Sequence, residues 1–108
     1  MSILAAYVVP HPPLIIPEVG RGEEKKIQLT VSAYERAMKE AAELAPDTVI
    51  IVSPHTVMYA DYFHIAPGED ASGSFGQFGA PEVAVAVQYD AVLAKEIEME
   101  AGEIGIEA

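Results

Sequence analysis

Two short apolar runs in this chain end in the same way. Ile3–Val9 runs into Pro10-His11-Pro12-Pro13, and Thr48–Ser53 runs into Pro54-His55. Both runs are rich in β-branched residues without polar alternation, the pattern of strands buried on both faces. Between them, Ile27, Val31, Tyr34, Met38, Ala41 and Ala45 step by three or four residues, which predicts one apolar face of a helix over 23–45. Glu23 and Glu24 sit in its first turn, where the helix dipole favours them, and Pro46 stops it. Strand, helix and strand in that order make a βαβ unit with parallel strands and a right-handed crossover. The expected fold is therefore α/β, a mostly parallel sheet with flanking helices.

The remainder gives weaker signals. Tyr62–Ala66 reads as a short edge strand ended by Pro67 and Gly68. Residues 68–79 read as a flexible loop, with a lid over a crevice as the alternative. Their glycines at 73, 76 and 79 match neither the dinucleotide fingerprint nor a P-loop. Glu82–Gln88 alternates Val83, Val85 and Val87 with small or polar residues, a third core strand. Asp90 is placed to cap a second helix through Glu103, with Leu93, Ile97 and Ala101 on one face.

Composition narrows the function. At 108 residues the chain is one domain at most. Having no cysteine, it has no disulfides, thiolate metal sites or cysteine nucleophile. With 17 acidic against 6 basic residues, it lacks the clustered cations from which nucleic-acid binding draws its affinity. The longest apolar run is broken by prolines, too short to span a bilayer, and has no signal-peptide features. The expectation is a soluble cytoplasmic protein with neither a membrane nor a nucleic acid as partner. Ser53 has no G-x-S-x-G context. The acidic run from Glu96 to Glu107 reads as a solvated face.

Parallel strands would bring His11 and His55 to the same carboxyl edge of the sheet, where open α/β folds build their sites. The prolines before them fix φ and remove a backbone donor, so each strand must stop and turn its histidine out. One such histidine is best read as a strand cap. Two of them point to a metal or catalytic pair, since neutral imidazole suits iron, zinc and similar ions. His64 is read as a surface or pocket-wall residue, with a substrate contact as the alternative.

The segments ILAAYVVPHPPLIIPEVGRG, APDTVIIVSPHT and GSFGQFGAPEVAVAVQYD resemble the amino-terminal part of the LigB-like family of class III extradiol ring-cleavage dioxygenases. The resemblance is strongest to the branch found in the AmmeMemoRadiSam system beside Memo-like proteins. It implies a three-layer α/β/α core of the phosphorylase/hydrolase-like kind, and it makes His11 and His55 two imidazole ligands of a non-haem Fe(II), with zinc as the alternative ion. It also implies a small catechol-like substrate. The family's third ligand, a glutamate, and its acid–base histidine lie far downstream, and no histidine follows His64 here. The expectation is thus that residues 1–108 are the amino-terminal portion of one such domain, holding metal weakly and inactive alone. The alternative is a non-catalytic, regulatory Memo-like metal-binding domain. Apolar strands left uncovered also lead to an expected homo-oligomer.

Overall fold

The computed structural model describes residues 2–108. Its regular elements are α1 (Pro17–Gly20), α2 (Gln28–Glu43), β1 (Asp70–Phe75), β2 (Ala80–Gln88) and α3 (Ala91–Glu103), with short 3₁₀ turns at Pro13–Ile15, Glu23–Ile27 and Gly76–Phe78. The chain mixes helix and strand, as expected. Its two strands, however, pair only with each other, as an antiparallel hairpin, and the described residues contain no parallel sheet. The chain divides into two compact units, one of residues up to Asp47 with Gly73–Val85, the other of Thr48–Ser72 with Ala86–Ala108.

In the first unit, Ile27, Val31, Tyr34 and Ala41 form the expected half-buried stripe. Ala37 replaces Met38 on it, and Met38 turns outward. Glu23–Ile27 is wound as a 3₁₀ turn rather than α-helix, with Lys26 and Glu23 paired at 2.6 Å. Ala45 lies past the helix end in left-handed conformation. Gly20, at the end of α1, is buried. The next residue, Arg21, also takes a left-handed φ of 49°, and its guanidinium donates to the Gly79 carbonyl at 3.2 Å. That bond ties the hairpin turn to the amino-terminal segment. Replacing Arg21 with alanine is expected to cost about 1 kcal/mol and to speed amide exchange at Gln77, Phe78 and Gly79, as measured by NMR.

The stretch 68–79 is therefore not a flexible loop throughout. Half of it is β1, and Gly76–Phe78 with Gly79 at φ 80° makes the turn. Asp70-Ala-Ser-Gly-Ser-Phe75 has no apolar alternation and little β propensity; pairing with β2 overrides local preference. β2 contains the expected strand and begins earlier, at Ala80, whose side chain is fully buried. Its valines do not form a core, and Val85 and Val87 are exposed.

The expected strands at Ile3–Val9, Thr48–Ser53 and Tyr62–Ala66 are all absent as hydrogen-bonded strands. A strand exists only where a neighbour takes up its backbone donors and acceptors, and these segments have no ladder partner among the described residues. Ile3 is 90% exposed, Ile51 83% and Val52 92%. In the second unit, α3 follows expectation. The Asp90 carboxylate accepts from the Leu93 amide at 3.0 Å and from the Thr48 hydroxyl. The Thr48 bond first, and the Leu93 bond second, hold the Asp90 carboxyl below the ordinary aspartate range. A lowered folded-state value stabilises the fold above about pH 4, and the gain fades as pH falls through it. Asp90→Ala should thus destabilise at neutral pH, with the difference from the unmodified protein shrinking at about pH 3 in denaturant melts. No helix among the described residues is long and apolar enough to cross a membrane.

Candidate functional site

His11 lies in the first unit, between two prolines and just ahead of the Pro13–Ile15 turn, where Pro12 is held in extended conformation with ψ 134°. Proline cannot continue a hydrogen-bonded ladder, so the chain turns here and leaves His11 exposed. His55 lies in the second unit. Its backbone amide donates to the Ser53 hydroxyl at 3.4 Å across Pro54, a local turn that likewise leaves it exposed. Each histidine is thus placed by the proline motif that singles it out in the sequence. Neutral imidazole is suitable donor chemistry for iron or zinc. A facial triad also needs a carboxylate, and no group of three or more His, Asp or Glu that could hold an ion occurs among the described residues. Each histidine, within its own unit, thus offers one imidazole donor.

His64 belongs to a different environment. It lines a groove of about 490 Å³ in the second unit, walled by Tyr59, Tyr62 and Ile65 and by Ala91, Ala94 and Lys95 of α3. The rings of Tyr59 and Tyr62 stack at 4.2 Å with planes 20° apart, and Tyr59 stands 6.0 Å from the His64 ring. The hydrogen bond between the two tyrosines is the main influence that raises the Tyr62 phenol above its ordinary value; desolvation adds to it. The alanines at 91 and 94 keep that wall low, while Lys95 pairs with Glu98 at 2.9 Å. Such a groove presents ring faces and one ion pair. The pocket-wall reading of His64 fits this position. Hydrophobic periodicity does not single out the tyrosine pair, although four rings within six residues, at 59, 62, 63 and 64, are a usable signal.

Comparison with known proteins gives two results. The family model described as the catalytic LigB subunit of aromatic ring-opening dioxygenase matches residues 5–108, a span that includes both proline–histidine motifs. Protein CA_C1420 of Clostridium acetobutylicum is 45% identical over 104 residues, covering 95% of this chain and 22% of that protein. The chain thus spans about a fifth of the length of the curated relative it matches. No solved structure matches. With a family match running over nearly its whole length, through both histidine motifs, the chain belongs to the family of catalytic LigB subunits of aromatic ring-opening dioxygenases.

Proposed function

We propose that this chain is the amino-terminal portion of a cytoplasmic, non-haem Fe(II)-dependent extradiol dioxygenase of the AmmeMemoRadiSam branch, with His11 and His55 as two of the metal's ligands. The observation that carries this reading is the family match extending through both histidine motifs. In the complete domain, Ile3–Val9 and Thr48–Ser53 are neighbouring parallel strands of a three-layer α/β/α core, and their carboxyl ends present the two imidazoles to one crevice. The third ligand and the acid–base residue come from sequence outside this chain, in keeping with the fifth of the relative's length that it spans. Bound ferrous iron supplies a Lewis acid for the two catechol oxygens and electron density for O₂. The part of His11 and His55 is to fix the ion while remaining neutral donors. Without a third donor the chain alone holds metal weakly and is inactive.

The second reading is a non-catalytic, regulatory metal-binding domain of the Memo-like kind. The experiment that separates them uses the Clostridium acetobutylicum relative, reconstituted anaerobically with Fe(II) and then given O₂ and a panel of catechols, beside the 108-residue chain. Oxygen uptake coupled to ring cleavage by the relative, with none from the shorter chain, supports the enzyme reading. Stoichiometric iron binding without oxygen uptake supports the regulatory one. A relative that binds neither iron nor zinc overturns both.

A further inference from the structure

The chain has neither cysteine nor tryptophan, so tyrosine is its side chain most open to one-electron oxidation. Its four methionines react differently, gaining an oxygen atom as the sulfoxide. Of the five tyrosines, Tyr59 and Tyr62 are the pair whose rings meet among the described residues, stacked at 4.2 Å with planes 20° apart. A bend at residues 60–62 brings the two rings together, and the Phe63 amide, donating to the Glu107 carbonyl at 2.9 Å, pins the end of that bend. All of these residues belong to the second unit. Both tyrosines are exposed. Their hydroxyls share a hydrogen bond, so the ring carbons ortho to each oxygen are neighbours as well.

We propose that Tyr59 and Tyr62 form an oxidative modification site, at which a one-electron oxidant generated from a peroxide joins the two rings into dityrosine within one chain. Each phenol gives up one electron and its hydroxyl proton. The para carbon carries the side chain, which leaves an ortho carbon on each ring as the free coupling position. The two phenoxyl radicals combine there in a carbon–carbon bond, and the hydrogen on each joined carbon moves to the phenol oxygen as aromaticity returns. Two electrons and two protons leave in total, and hydrogen peroxide takes them up as two molecules of water. Tethering decides the partner. Rings three residues apart meet at an effective concentration of about millimolar or more, roughly a hundredfold above that of a ring on another chain at about 10 μM. The net charge of −11 further keeps chains apart. The product is a covalent loop that fixes the Tyr59 and Tyr62 wall of the groove. This inference needs neither iron nor ring-cleaving activity.

The test treats the 108-residue protein at about 10 μM with a haem peroxidase and hydrogen peroxide, a chelator keeping free metal out of the reaction. The expected result is dityrosine fluorescence, a single-chain mass lower by two hydrogens, and a tryptic peptide 40–95 that gives no backbone fragments between 59 and 62. Tyr59→Phe and Tyr62→Phe keep a ring in place but remove the phenol, and each should lower the yield at least about tenfold. Combined replacement of Tyr7, Tyr34 and Tyr89 by phenylalanine should leave the yield unchanged. Far-UV circular dichroism checks that each variant keeps its helices. Absence of dityrosine, a link that maps to another tyrosine, a main product of doubled chain mass, or an undiminished yield in Tyr59→Phe would overturn the proposal.

Discussion

His11→Ala and His55→Ala should each reduce Fe(II) affinity by on the order of a hundredfold or more. Groups that merely orient a ligand already contribute ten- to a hundredfold, so loss of a direct ligand must exceed that. Both side chains are exposed and neither sits in a helix or strand, and denaturant melts of each variant check that the fold is kept. The affinity of the 108-residue chain is itself expected to be weak, because two imidazoles are not a complete donor set. Anaerobic titration against a coloured chelator measures it. His64→Ala, which alters the groove beside Tyr59, should leave iron affinity unchanged. Tight stoichiometric iron that survives His11→Ala would sink the assignment of that residue as a ligand.

The largest stability effect from one added methyl group is expected at Gly20. A Cβ there would strike the Leu14 carbonyl oxygen and the Glu24 carboxylate, and that carboxylate already accepts from the Gly22 amide at 2.8 Å. The Leu14 oxygen is backbone and cannot swing away as a side chain can. Gly20→Ala should therefore cost about 1–3 kcal/mol. A methyl group on Gly102, inside α3, would meet nothing within 4 Å, and the backbone there has no positive φ. Gly102→Ala should instead stabilise by about 0.5–1 kcal/mol, because alanine loses less backbone freedom in a helix. Opposite shifts in denaturant midpoint at the two glycines are the diagnostic result.

Helices are legible in this sequence because their information is local. The stripe from Ile27 to Ala41 and the cap at Asp90 need only residues a few positions away. Strands are less so, for two different reasons. Residues 70–75 have poor intrinsic propensity, and only their partner β2 makes them a strand. Ile3–Val9 and Thr48–Ser53 have strong propensity but no ladder neighbour among the described residues, so composition alone does not make them strands. The histidines are visible because proline marks where a chain must turn. The Tyr59–Tyr62 stack is not, since ring stacking depends on a backbone path through 59–64 that no periodic pattern announces.

The Arg21–Gly79 bond joins residues 58 positions apart, and it closes the first unit only after the intervening 48–72 have been made. During synthesis at about 5–20 residues per second, the amino-terminal segment must wait several seconds for its latch to emerge. Throughout that interval the apolar run Ile3–Val9 is already outside the ribosome with no hairpin turn to anchor the segment that follows it. Closing so long a loop is also costly in chain entropy, so the bond is a late event in folding. Nascent chains stalled before residue 79 should accordingly be the ones most readily held by chaperones and cut by proteases.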